Sequence, residues 1–135
     1  METSNSNPIK GRKVVSQAVE PTQLPQPETA REYIQRGMSF YARKRYEESE
    51  ADFKMAIEAD ANNEDGFYGL GMVYKARGEL EKSTNSFNEV IRLVANSPSE
   101  QHNRQEMLRR LALGHINEMQ TGDWNLEKEI WRHVN

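Results

Sequence analysis

The stretch that decides the fold is residues 33–63, YIQRGMSFYARKRYEESEADFKMAIEADANN, because its pattern returns in residues 66–93, GFYGLGMVYKARGELEKSTNSFNEVIRL. Gly37 recurs as Gly71, Phe40 as Tyr74, Tyr46 as Leu80, Ser49 as Ser83, Phe53 as Phe87 and Ala56 as Val90, each after 34 residues. A fixed period of that length, with aromatic and small residues at set phases, marks stacked helical hairpins. Neither hairpin buries its apolar stripe alone; stacking makes the core.

The local signals agree. Thr29 with Glu32 three residues later is a capping box, so a first helix is expected from there to about Ala42. The Lys44–Arg45 turn leads to a second helix, from Tyr46 to about Asp60, with Ser49, Phe53, Ala56 and Ile57 in one stripe. Asn62 or Asn63 caps a third, from Glu64 to about Arg77, which Gly78 ends as a C′ glycine. A fourth runs from Glu79 to about Val94, and residues 96–99 interrupt it with Pro98.

Beyond that interruption the spacing drifts. A long helix is expected from about Glu100 to Met119, then a turn at Gly122 and a last helix. Trp124, Glu127, Trp131 and Val134 repeat the spacing of Tyr46, Ser49, Phe53 and Ala56. Phe87 to Trp131 is 44 residues rather than 34, so the third unit is longer. The expected organisation is a disordered tail over 1–27 and a helical domain over 28–135, with repeats at about 30–63, 64–97 and a divergent 100–135. The tail is rich in Ser, Asn, Gln and Pro and has too few apolar groups to offset ordering entropy.

Close packing of two helices needs a small residue where the backbones meet. Gly37 and Gly71 fill that role opposite Ser49 and Ser83, while Phe53, Phe87 and Trp131 are plugs between successive hairpins. A mid-helix glycine costs about 1 kcal/mol against alanine, so its repetition implies that the space is needed.

On these residues the chain resembles the tetratricopeptide repeat family. Tyr33 and Phe67 take the family's tryptophan-type position, and Arg36 and Leu70 its leucine. Gly37 and Gly71 match its small residue, and Phe40 and Tyr74 its tyrosine. Ser49 and Ser83 replace its alanine, Phe53 and Phe87 match its aromatic, and Ala56 and Val90 its last small residue. The resemblance implies an all-α, right-handed superhelical stack of about three antiparallel hairpins. It also implies a groove, lined by the first helix of each hairpin, that takes a peptide or helix from a partner protein. The positions it points to are Ile34, Met38 and Tyr41, then Tyr68, Met72 and Lys75, with Arg109, Leu113 and Ile116 from the third unit. Tyrosine offers rigid contact area and methionine moulds to irregular surfaces. The alternative reading makes the same side chains part of an internal core, covered by the tail or by the fifth helix. Where some relatives hold carboxylates with lysine and asparagine, this chain has Ile34, Met38 and Gly69, so it is not expected to clamp an acidic tail.

Chemistry is not expected. The chain of 135 residues has a net charge of −3 and no cysteine, which excludes disulfides and thiolate sites and offers no field for nucleic acid. His102, His115 and His133 lack ligand spacing, and His115 reads as packing or surface; neither metal nor cofactor is implied. The acidic group Asp52, Glu58, Asp60, Glu64 and Asp65 lacks a calcium-loop pattern and reads as a solvated face. Gly69-x-Gly71 falls in mid-helix, where it cannot cradle phosphate. Arg43, Lys44 and Arg45, with Arg104, Arg109 and Arg110, read as solubility charges. No apolar run is long enough to span a membrane. The expectation is a cytoplasmic, non-enzymatic scaffold, with a structural or assembly role as the alternative, through self-association at the Trp131 end or as a subunit of a larger complex.

Overall fold

The computed structural model describes residues 20–23, 25–97 and 102–124. A short 3-10 turn at Pro21–Gln23 precedes five α-helices: α1 Ala30–Ala42, α2 Tyr46–Ala59, α3 Glu64–Ala76, α4 Leu80–Ala95 and α5 His102–Thr121. Among the described residues there is no strand. The chain is all-α, and every helix packs on the next. α1 with α2 and α3 with α4 are the two hairpins, α2 lies on α3 and α4 on α5, and α1 also touches α3.

The helix ends follow from the cap residues. Thr29 Oγ1 accepts from the Glu32 amide at 3.1 Å. The Glu32 carboxylate in return accepts from the amide of Glu28, at 2.8 Å, one residue upstream of the usual box. Asn63 Oδ1 accepts from the Gly66 amide at 2.9 Å and starts α3. α1 and α3 end in the same way at the same phase. Lys44 (φ +62°) and Gly78 (φ +79°) turn left-handed, which lets the Arg45 amide reach the Phe40 carbonyl at 2.9 Å and the Glu79 amide reach that of Tyr74 at 2.8 Å.

The core is a series of rings slotted against small residues. Phe53 and Phe87 are fully buried, each at the heart of a cluster: Phe53 with Leu70, Val73 and Tyr74, and Phe87 with Val90, Leu108 and Ala112. A Cβ on Gly37 would lie 3.0–3.2 Å from the Phe53 ring, and one on Gly71 would lie 2.7–2.8 Å from the Phe87 ring. Both serines earn their place over alanine. Ser49 Oγ donates to the Gly37 carbonyl and Ser83 Oγ to that of Gly71, each at 2.7 Å and buried.

Three details depart from the sequence reading. Gly69, given no packing role by the sequence, is a second slot for Phe53: an added Cβ would come within 2.6 Å of Cδ1 and closer still to the rest of the ring edge. Asp52 is not on a solvated face. It is buried, and Arg36 donates to it from Nε at 2.8 Å and from a terminal nitrogen at 2.9 Å. Repeat two has Leu70 and Ser86 at those phases, so the bidentate ion pair of one hairpin has no charged counterpart in the other. Trp124 is not in a helix; its ring lies directly on Gly114. Trp131, Val134 and the expected last helix lie outside the described residues, as do residues 1–19 of the expected tail.

Candidate protein-binding face

Two helical turns separate Ile34 from Tyr41, and Tyr68 from Lys75, so each set forms one stripe on its helix. These stripes lie on the side of the stack where first helices α1, α3 and α5 neighbour one another. At the seam between α1 and α3, Ile34 and Tyr41 are half-buried against the Phe53 cluster, and the Tyr41 ring tilts against Tyr46 at 5.6 Å. Met38, between them, is 48% exposed.

The seam between α3 and α5 is more polar. Tyr68 and Met72 pack on the Phe87 cluster, while Lys75 reaches across to His115 and Glu118. His115 replaces for Phe87 what Gly69 supplies to Phe53. Its ring stacks flat on Phe87 at 4.8 Å with an interplanar angle of 8°, and Trp124 meets it edge-on, also at 4.8 Å. Lys75 Nζ donates to His115 Nδ1 at 2.9 Å. An ammonium has no lone pair to offer, so the ring proton is on Nε2, which donates to the Tyr68 hydroxyl oxygen at 3.1 Å. Burial, reinforced by the Lys75 charge and only partly offset by Glu118, lowers the imidazole to a pKa of about 4. His115 is therefore a neutral packing group at neutral pH, with a defined tautomer.

The α5 side chains that bond to α3 are Arg104, His115 and Glu118: Arg104 pairs with Asp65, Glu118 with Lys75, and His115 meets Tyr68 and Lys75. At 100° per residue these three share a stripe with Leu111. Met107 falls within about 20° of Glu118 on the helical wheel and is 57% exposed. Arg109 and Leu113 lie about 120° and 160° around from His115, away from α3. Both are half-buried, and Arg109 bonds Glu106 one turn back at 2.8 Å. Ile116 packs on the Phe87 cluster. The longer third unit breaks the 34-residue phase, so spacing alone does not pick out Arg104, Met107 and Glu118.

The first helices thus each carry a methionine on this side: Met38, Met72 and Met107, spaced by 34 and 35 residues. At one end of the face a cleft of about 620 Å³ is lined by Arg31, Ile34, Gln35, Asp60, Asp65 and Arg104 among others. Lys75 and the Trp124 ring, 5.9 Å apart, border the other end. Across the seam between α3 and α5, Lys75 is bonded to His115 and Glu118, Tyr68 to His115, and Arg104 to Asp65. The described residues hold no cluster of three His, Cys, Asp or Glu side chains fit for a metal. None of their helices is long and apolar enough to cross a membrane.

The comparisons with known proteins agree with this architecture. Residues 30–63 match the tetratricopeptide repeat model. A TPR repeat-containing protein of Methanocaldococcus jannaschii is 29% identical over 86 residues, which cover 53% of this chain but only 15% of that protein. No solved structure gives a significant match. The assignment to the tetratricopeptide repeat family therefore covers residues 30–63, the first hairpin of the stack, and a second hairpin of the same design follows it.

Proposed function

We propose that the chain is a non-catalytic interaction module that holds a short peptide or helix of a partner protein along the inner face of α1, α3 and α5. The observation that carries this reading is the row Met38, Met72 and Met107, in which the first and last members are 48% and 57% exposed. Soft, unbranched side chains repeated once per unit make a floor that adapts to an apolar ligand surface. Arg31, Asp65 and Arg104 at one end supply polar contacts that fix direction. Ile34, Tyr41, Tyr68, Met72 and Lys75 then act as walls, tied to the helix core and so already ordered before binding. Arg109 and Leu113 border this face from α5's far side and contribute less. The net charge of −3 disfavours nucleic acid as the ligand, and we place its action in the cytoplasm.

Selection of peptides from a random library against the full-length chain tests the reading. Enriched peptides should lose at least tenfold in affinity to the Met38→Glu variant, and less to Met55→Glu on the outer side of α2. Equal binding to both variants would remove the ligand from this face. Self-association is the competing use of exposed apolar groups. A concentration-dependent dimer in sedimentation that Met38→Glu dissolves would favour it.

A further inference from the structure

We infer that residues 20–23 and 25–28 are a strap that occupies, on α1, the face on which α3 receives α2, and so caps the start of the helical stack. The repeat itself identifies that face. Glu32, Gln35 and Ser39 correspond after 34 residues to Gly66, Gly69 and Val73. On α3 those three meet the preceding hairpin: Gly66 lies against Ile57, Gly69 against Phe53, and Val73 is fully buried beside Phe53. On α1 the same three positions line a cleft of about 410 Å³ together with Pro25, Gln26, Pro27 and Glu28.

The strap is fastened at both ends of the helix. Beside the first turn, the Glu28 amide donates to Glu32 at 2.8 Å. Beyond the last turn, Glu20 accepts from Arg45 at 2.7 Å and lies 3.8 Å from Arg43. It therefore runs antiparallel to α1. A helix of 13 residues is about 20 Å long, within the reach of about 26 Å that eight chain steps allow. Pro21 is fully buried and Pro27 is buried, so two stiff residues supply the contact. Arg45 is held on both sides, stacked over the Phe40 ring at 4.9 Å and paired with Glu48 as well as Glu20.

The two faces differ in chemistry as a cap requires. α3 offers two glycines so that a helix can come close, whereas α1 offers a glutamate and a glutamine that suit a polar strap and oppose a further hairpin. A stack whose units touch only their neighbours frays from an uncapped end. Loss of the strap should therefore be felt first in α1.

Native-state amide exchange on the full-length chain tests this. Pro21→Gly removes the buried ring, and Gln23→Gly places a glycine at an exposed strap position without removing a buried side chain. Glu20→Gln removes the latch to Arg45 while leaving Pro21 in place. The expected result is exchange in α1 faster by about tenfold in Pro21→Gly and about threefold in Glu20→Gln, relative to α4. Gln23→Gly should match the parent within twofold. No difference between Pro21→Gly and Gln23→Gly, or acceleration shared equally by all five helices, overturns the proposal.

Discussion

Replacing Gly69 with alanine sets two opposing effects against each other. Alanine improves helix propensity by about 1 kcal/mol in α3. The new methyl, however, would enter the edge of the Phe53 ring, within 2.6 Å of Cδ1 and nearer to Cε1 and Cζ. Phe53 is fully buried and has Gly37 on its other side, where a Cβ would already be only 3.0 Å away. The ring has nowhere to retreat, and overpacking of that kind costs about 1–3 kcal/mol or more. Ranking the three slots by clearance gives Gly37→Ala within about 1 kcal/mol of the parent, Gly71→Ala worse, and Gly69→Ala worst, at about 2 kcal/mol net destabilisation. For a domain of this size that lowers Tm by about 10 °C. Urea unfolding followed by far-ultraviolet circular dichroism measures all three. Phe53→Leu should partly rescue Gly69→Ala, with the double variant less destabilised than the sum by about 1 kcal/mol. A Gly69→Ala protein more stable than the parent, or equal losses at all three glycines, would refute ring-on-glycine stacking as the source of the fold.

Other substitutions follow from comparing the repeats. Asp52→Ala should cost about 2–4 kcal/mol by stranding Arg36, whereas the double change Arg36→Leu with Asp52→Ser copies Leu70 and Ser86 and should be neutral or stabilising by calorimetry. Lys44→Gly, placing at φ +62° the residue that Gly78 supplies at φ +79°, should raise stability by about 0.5–1 kcal/mol. Acid should weaken the fold in two stages. Neutral His115, lowered from 6.5 to about 4, favours folding fully above pH 6.5 and loses that contribution as pH falls to about 4, because the unfolded chain takes up the proton first. Burial alone raises the Glu50 carboxyl, but bonds from Arg77, Lys54 and Tyr74 outweigh it and hold it at about 2, down from 4.5. Its contribution is present above pH 4.5 and is lost as pH falls towards 2. His115→Gln should flatten the upper stage in urea titrations at pH 4–7 and leave the lower one, and Glu50→Gln should do the reverse.

The first four helices were legible in the sequence because local and global signals coincided. Thr29, Asn63 and Gly78 are caps with defined chemistry that mark the starts of α1 and α3 and the end of α3, and the rings and small residues recur at one period that marks each buried stripe. What the pattern hid depended on pairs. Arg36 and Asp52 each look like surface charges until α1 and α2 are laid together, and Gly69 gains a purpose only when α2 is placed on α3. The third unit is less regular. Its longer first helix breaks the 34-residue phase, so spacing points to Arg109 and Leu113, whereas the α5 side chains bonded to α3 are Arg104, His115 and Glu118. His115 carried no sequence signal for its role, since stacking on Phe87 depends on a register that only the packed structure sets. The strap was hidden for a similar reason: Pro21 and Pro27 belong to a stretch whose composition reads as a polar tail, and their burial depends on the folded chain beside them.

The central claim, that the inner face of α1, α3 and α5 receives a partner segment, is tested most directly by methyl NMR of the methionines. The chain has six of them. Each of Met38, Met55, Met72, Met107 and Met119 reports one place in the fold. Titration with a library-selected peptide should shift Met38, Met72 and Met107 together, with one common dissociation constant, and leave Met55, 40% exposed on α2, unmoved. Saturable shifts at Met55 with the three inner methyls unchanged would contradict the account.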